Sequence, residues 1–245
     1  MIAQFLAAHS WYDIALFLFT ALVMPAMSVV AGKQLARGEG ASLVPRYWFT
    51  IARGALAAAA VLAMWCWSGR SFALLGLDWP IGARGQFGFV VVAVIAVVGY
   101  LQIARVNRIP RDKLGKALKA VERIKITPRD KAELSLFMLV SVDAGIWEEL
   151  VYRGFLVWFL LPLTGLVGAA IASSFLFGIG HAYQGWRGML MTGFVGLILA
   201  VLYVLTASLW WVMAVHAAID ISGGLVTYRL SRRAAEIHQT GTAVG

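Results

Sequence analysis

Seven stretches of this chain, at 12–32, 47–68, 86–105, 134–161, 164–183, 188–206 and 208–229, are almost wholly apolar. Each is close to the length of about 20 residues that a helix needs to cross a bilayer. Inside lipid every backbone amide must find its partner within the same segment, so runs of this kind fold as α-helices. The overall make-up agrees: 61% of residues are hydrophobic, only 13% are charged and mean hydropathy is +0.80, which excludes an ordinary soluble domain. The expected fold is an all-α, polytopic transmembrane helical bundle of about 7–8 spans. Turn-forming residues punctuate it: Gly38-Glu39-Gly40, Pro80 with Gly82, Pro162 with Gly165, and Gly185 with Gly188. The segment SFALLGLDWP at 71–80 is apolar but too short to cross, and is expected to lie at the interface or re-enter. No repeat of 20 to 50 residues is visible.

Charge sets the expected orientation. Residues 105–131 hold ten Lys or Arg, and alternation of the seven spans puts seventeen basic residues on that side against Arg70 and Arg84 on the other. Basic loops stay in the cytoplasm, so the loop is expected inside and the N-terminus outside. The formal charge of +9 is thereby explained by membrane topology, and nucleic acid is not an expected partner. Within the loop, Leu114, Leu118, Val121 and Ile124 recur at helical spacing among lysines and arginines, as in a helix lying on anionic lipid; a solvated linker helix fits equally. The chain divides into N-terminal transmembrane helices at 1–104, a basic segment at 105–132, a helical core at 133–230 and a tail at 231–245. Cys66 is the single cysteine and permits no internal disulfide. The N-terminus lacks a basic residue before its apolar stretch, so no removable signal peptide is expected.

The charges that remain inside the spans carry the functional information. They are Arg53, Asp143, Glu148, Glu149, Arg153 and Asp220, together with His181 and His216. An ionisable group within a span costs several kcal/mol unless it is paired or wetted, which makes it a functional candidate. Glu149 and Arg153 are four apart and share a helix face, while Glu148 points about 100° away and needs a partner from another element. His216 and Asp220 project together from the seventh span, as do Phe177 and His181 from the fifth. Three spans thus each offer a polar patch, and together the patches have acid–base capacity. Arg53 and Asp143 read as helix-packing charges.

Glu148-Glu149-Leu-Val-Tyr-Arg153, Phe177-Gly-Ile-Gly-His181 and His216-Ala-Ala-Ile-Asp220 resemble the EExxxR, FxxxH and HxxxN/D motifs of the CAAX-processing and bacteriocin-processing (CPBP) intramembrane endopeptidases. The likeness covers about 133–230; the first three spans share only hydrophobicity and an echo at Leu75-Gly-Leu77-Asp-Trp-Pro80. The resemblance implies peptide-bond hydrolysis in a cavity open to the cytoplasm, on a prenylated C-terminus or another membrane-associated peptide. It implies that Glu148 and His181 activate water, that His216 with Asp220 faces the oxyanion, and that Glu149 with Arg153 holds the helix in register.

Where relatives have asparagine this chain has Asp220. Three alternatives follow: a protonated Asp220, an Asp220 that orients and charges His216, or a zinc ion held by Glu148, His181, His216 and Asp220. The HExxH spacing of a zinc protease is lacking, and the route without a cofactor is favoured. Two other classes stay open, a proton-coupled transporter and a catalytically silent scaffold or bacteriocin-immunity protein. Depth strains the reading: His181 lies about 9 Å of helix from Arg187, His216 about 20 Å from Arg229 and Glu148 about 26 Å from Lys131. A turn that dips inward through AYQGWRG would reconcile them.

Overall fold

The computed structural model describes residues 9–37, 42–122 and 126–242, and among them the chain is all helix and connecting turn. Helix α1 runs Trp11–Leu18, passes through a π-helical turn at Phe19–Val23 and continues over Met24–Arg37. Helices α2 (Val44–Trp67), α3 (Gly82–Val106) and α4 (Arg111–Glu122) follow. Helix α5, Lys131–Glu149, leads through a π-helical segment, Leu150–Leu156, into α6, Val157–Gly180. Helices α7 (Gly185–Thr206) and α8 (Leu209–Thr242) complete the bundle.

Six of these runs are long and apolar enough to cross a membrane, and the fourth, Lys131–Gly180, covers 50 residues with a kink inside it. It joins the two stretches expected at 134–161 and 164–183. The run is broken at Gly165, whose φ of 68° and ψ of 174° lie outside helical space and suit only a residue without Cβ. Pro162 precedes the break and helps to end the first arm. Beyond it the chain folds back: Ser173 Oγ donates to the carbonyl of Tyr152 at 2.5 Å.

Each end of the bundle is tied by its own polar contacts. At the basic end Glu133 is buried and accepts from Leu43 N–H at 3.0 Å and from Arg129 at 2.8 Å. That carboxylate holds the Arg129 guanidinium pKa above its ordinary value. Tyr47 Oη donates to Ile126 O at 2.6 Å, and Arg233 donates to the carbonyls of Val106 and Ile109. The apolar face of α4 turns toward this assembly, for Leu114 is buried with Val106, Leu230 and Ala234. The expected contact of Leu114 with lipid is therefore replaced by contact with α8. Ile124 lies outside the described residues.

At the opposite end Arg70 donates to both oxygens of Asp13, at 2.7 and 2.6 Å, and lies over the rings of Trp65 and Trp158. The hydrogen-bonded carboxylate raises the Arg70 pKa. Of the short apolar segment at 71–80, Leu75 and Gly76 are buried here while Phe72, Leu74 and Trp79 stay exposed. Leu75 is fully buried in a 3-10 turn, Phe72–Leu75, and Gly76 O accepts from Leu209 N–H at 2.7 Å, anchoring the start of α8.

All seven residues of the π-helical segment are buried. Burial on every side is what a helix at the centre of a bundle requires. Tyr152, Phe155 and Leu156 meet Trp65, Leu75, Phe159 and Phe177 in the main core. Lipid is as apolar as these side chains, so the association rests on close packing and internal hydrogen bonds more than on removal of surface from water.

Candidate active site

The six residues singled out in the motifs come together where α5, the end of α6 and α8 meet. Glu148 and Glu149 close α5, Arg153 lies one turn on in the π-helical segment, His181 follows α6, and His216 and Asp220 lie on α8. A π-helical turn widens the backbone ladder to i→i+5 and is found disproportionately at functional sites. Here it begins directly after Glu149.

Glu149 and Arg153 are both completely buried. Arg153 Nη1 donates to Glu149 Oε1 at 2.7 Å, and its Nη2 donates to the carbonyl of Gly196 on α7 at 2.9 Å. The guanidinium also lies over the Phe177 ring, 4.3 Å from its centroid. Glu149 Oε1 accepts a second bond, from His216 Nδ1 at 2.5 Å. A buried ion pair survives desolvation only when further hydrogen bonds support it; His216 and Gly196 O supply two, while Glu149 Oε2 and Arg153 Nε are buried without partners among the described residues. Gly196 makes room for it: a Cβ there would sit 2.8 Å from Phe177 Cδ1 and 3.1 Å from Arg153 Nη2.

Glu148 turns to the other side of the helix. Its Oε2 stands 3.8 Å from His181 Nε2 and 3.8 Å from His216 Nε2, and it finds no hydrogen-bond partner among the described residues. Both histidines are fixed at the nitrogen that faces away. His181 Nδ1 is 2.8 Å from Phe177 O; a carbonyl only accepts, so Nδ1 donates there and Nε2 faces Glu148. His216 Nδ1 is likewise committed to Glu149, which leaves Nε2 facing Glu148 and, at 3.6 Å, Asp220 Oδ2. Such orientation by a second partner is what fixes an imidazole's tautomer.

Accessibility is graded across the site. The Glu149 and Arg153 side chains are fully covered, Glu148 and His181 are 11% and 16% exposed, and Asp220 is 39% exposed. Asp220 follows His216 by one turn toward the end of α8 that carries Arg233.

The structure also resolves the mismatch in depth. The turn Ala182–Gln184 docks on α1, where Tyr183 N–H donates to Ser28 Oγ at 3.1 Å. Ser28 lies about 14 Å of helix short of Arg37. The α6–α7 connection is thus recessed into the bundle, and His181 shares the depth of Glu148 and His216 although Arg187 is near it in sequence.

The zinc alternative would draw on Glu148, His181, His216 and Asp220. Among the described residues no group of three or more His, Cys, Asp or Glu side chains is disposed to hold a metal ion. His216 Nδ1 is held by Glu149, Asp220 stands at the exposed edge, and the Nε2 atoms of both imidazoles face Glu148.

One participant was not singled out from sequence: Gly196 O accepts from Arg153 beside the face of Phe177, and no local pattern announces that carbonyl. Arg53 and Asp143, read as packing charges, form no ion pair with each other among the described residues: Arg53 Nε and Asp143 Oδ2 are buried there without hydrogen-bond partners, and the guanidinium lies 5.6 Å from the Trp147 ring centroid.

Residues 130–222 match the family model described as type II CAAX prenyl endopeptidase Rce1-like, a segment that contains all three motifs. That match bears out the resemblance read from them. No curated protein and no solved structure matches the chain.

Proposed function

We propose that the chain is an intramembrane endopeptidase of the glutamate type, acting on a prenylated, CAAX-like C-terminus or another membrane-associated peptide. The observation that carries this reading is Glu148 Oε2, unpartnered and equidistant from two imidazole Nε2 atoms whose other nitrogens are both anchored. A carboxylate so placed is a base awaiting a proton from a third molecule.

In this reading a water bound among Glu148, His181 and His216 gives its proton to Glu148, while the His181 lone pair helps to orient it. The hydroxide adds to the carbonyl carbon of the scissile bond. Negative charge develops on the carbonyl oxygen and needs donors already aimed at it. His216 fills that role when Nε2 carries a proton, with Glu149 holding Nδ1–H and Asp220, 3.6 Å from the same Nε2, balancing the imidazolium. Collapse of the intermediate breaks the C–N bond, and Glu148 returns its proton to the leaving amine. Glu149, locked to Arg153, positions His216 and does not touch the substrate.

Topology supports access from the basic side. We read the 50-residue run as two passes joined at Gly165, which makes seven in all, with the loop at 105–131 in the cytoplasm next to anionic lipid. Asp220, the most exposed member of the site, lies on that side of His216. A substrate held at the membrane by its lipid anchor would enter along the same path.

The test is a reconstitution in vesicles with a farnesylated CAAX peptide and a set of bacterial membrane peptides, comparing wild type with Glu148→Ala and His181→Ala. Cleavage by wild type alone, undiminished after exhaustive treatment with a zinc chelator, is expected. Equal signals from all three proteins would remove the enzyme, and activity lost to the chelator and restored by zinc would remove the metal-free route.

A further inference from the structure

Beside the proposed catalytic centre lies a second polar group to which the hydrolytic mechanism assigns no role. Arg53 on α2 places its guanidinium 5.6 Å from the centroid of the Trp147 ring on α5. Its Nε and the indole Nε1 of Trp147 are both buried, both hydrogen-bond donors, and neither has an acceptor within the protein. Asp143, one turn before Trp147, faces the same position, for a Cβ on Gly54 would meet both Asp143 Oδ2 and Trp147 Nε1. Yet Asp143 Oδ2 is itself without a hydrogen-bond partner, and no ion pair joins it to Arg53 among the described residues. A cation left unsatisfied within a membrane span is costly, and an adjacent carboxylate would be its natural partner. The two stand apart instead.

A guanidinium edge next to an indole N–H is a receptor for a planar anion, because a carboxylate accepts in two parallel directions. The location fits one particular carboxylate. Trp147 adjoins Glu148 in sequence, and Asp143 lies about 8 Å of helix from Glu148 toward the basic end, the side on which the site opens. Arg53 is also within electrostatic range of Tyr152 and Tyr183, which border Phe177 and His181. Three extended residues span about 10 Å. A peptide cut three residues from its end at Glu148 would bring its terminal carboxylate to this neighbourhood.

Resting on the protease reading, we infer that Arg53, assisted by the Trp147 indole, binds the C-terminal carboxylate of the substrate and so restricts cleavage to sites near a free chain end. Asp143 is the neighbouring anion: it stands near the guanidinium without pairing with it, which leaves the Arg53 donors free for a substrate carboxylate.

The experiment compares a farnesylated CAAX peptide as free acid with the same peptide as C-terminal amide. Cleavage is measured as kcat/KM in wild type, Arg53→Gln, Arg53→Lys and Asp143→Asn, and binding of both peptides is measured in a Glu148→Gln background. Wild type is expected to favour the acid at least about 10-fold, the scale of one charge-assisted hydrogen bond. Arg53→Gln brings the acid-to-amide ratio close to one. Arg53→Lys, which keeps the charge but loses the fork, gives an intermediate ratio, and stands as the test should the glutamine variant not fold. Asp143→Asn retains or raises the ratio. A wild-type ratio near one, or a ratio unchanged in both Arg53 variants, overturns the assignment. The binding arm separates the two readings: acid preference that depends on Arg53 without any cleavage by wild type would uphold the carboxylate site and sink the protease.

Discussion

One oxygen of Glu149 joins two helices through two donors: Oε1 accepts from Arg153 at 2.7 Å and from His216 Nδ1 at 2.5 Å. The pair that locks the π-helical segment is therefore also the device that orients the imidazole facing the reaction centre. Breaking it has structural and chemical effects that mutation can separate.

Arg153→Met leaves the Glu149 carboxylate buried without its cation and is expected to lower stability by about 3–5 kcal/mol, the usual cost of an orphaned buried charge. Glu149→Gln leaves Arg153 in the same condition. In the double variant neither charge remains, and thermal unfolding in detergent should show it less destabilised than the sum of the singles. Peptidase activity is not expected to return with stability, because His216 Nδ1 has then lost its anionic acceptor. A double variant as active as wild type would show that Glu149 has no part in positioning His216.

Glu148 presents the opposite case. Its Oε2 makes no hydrogen bond in the protein, so Glu148→Gln removes no native contact of that atom. The unfolding temperature should hold or rise, while hydrolysis falls by about 10²–10⁴-fold with the loss of the general base. A marked loss of stability would instead give Glu148 a structural role.

Asp220 stands 3.6 Å from His216 Nε2 and is the most exposed carboxylate of the site. Asp220→Asn places an amide donor where related sequences carry asparagine, and kcat within about tenfold of wild type is expected, since one charge-assisted contact is exchanged for a neutral one. Asp220→Ala removes both and should be slower than the asparagine variant. The reverse order in single-turnover measurements would mean that the negative charge itself is required.

At the far end of the bundle, Arg70→Ala leaves Asp13 fully buried and stripped of two charge-assisted hydrogen bonds. Destabilisation of about 2 kcal/mol or more is expected, with little change in kcat for the molecules that remain folded. A normal melting profile would show that the cation–π contacts with Trp65 and Trp158 matter less than the geometry implies.

Much of this arrangement was legible in the residues, because charge inside a span is rare and helical spacing says which charges share a face. Glu149 with Arg153, and Glu148 turned away from both, followed from the 100° step alone. What spacing does not encode is which atom meets which. Nothing in HAAID tells that His216 would bond Glu149 through Nδ1 while its Nε2 stands 3.8 Å from Glu148, nor that Gly196 would supply an acceptor for Arg153. The joint between the expected spans at 134–161 and 164–183 was readable at Pro162 and Gly165, and the backbone leaves helical space at Gly165, though helix runs up to that residue on either side. Leu114 misled for a related reason. An apolar stripe among lysines looks the same whether it faces lipid or a neighbouring helix, and here α8 extends far enough to cover it.

The recessed turn that rests on Ser28 has a consequence for the surrounding lipid. Under the topology proposed above, a hairpin that docks at Ser28, about 14 Å of helix short of Arg37, matches a thinner hydrocarbon layer than its neighbours do, and the bilayer would thin or admit water along that flank. The same shortening would lower the cost of a charged group at the depth of Glu148. The proposed hydrolysis would then need no aqueous pore through the whole protein, only one side on which the membrane is less of a barrier.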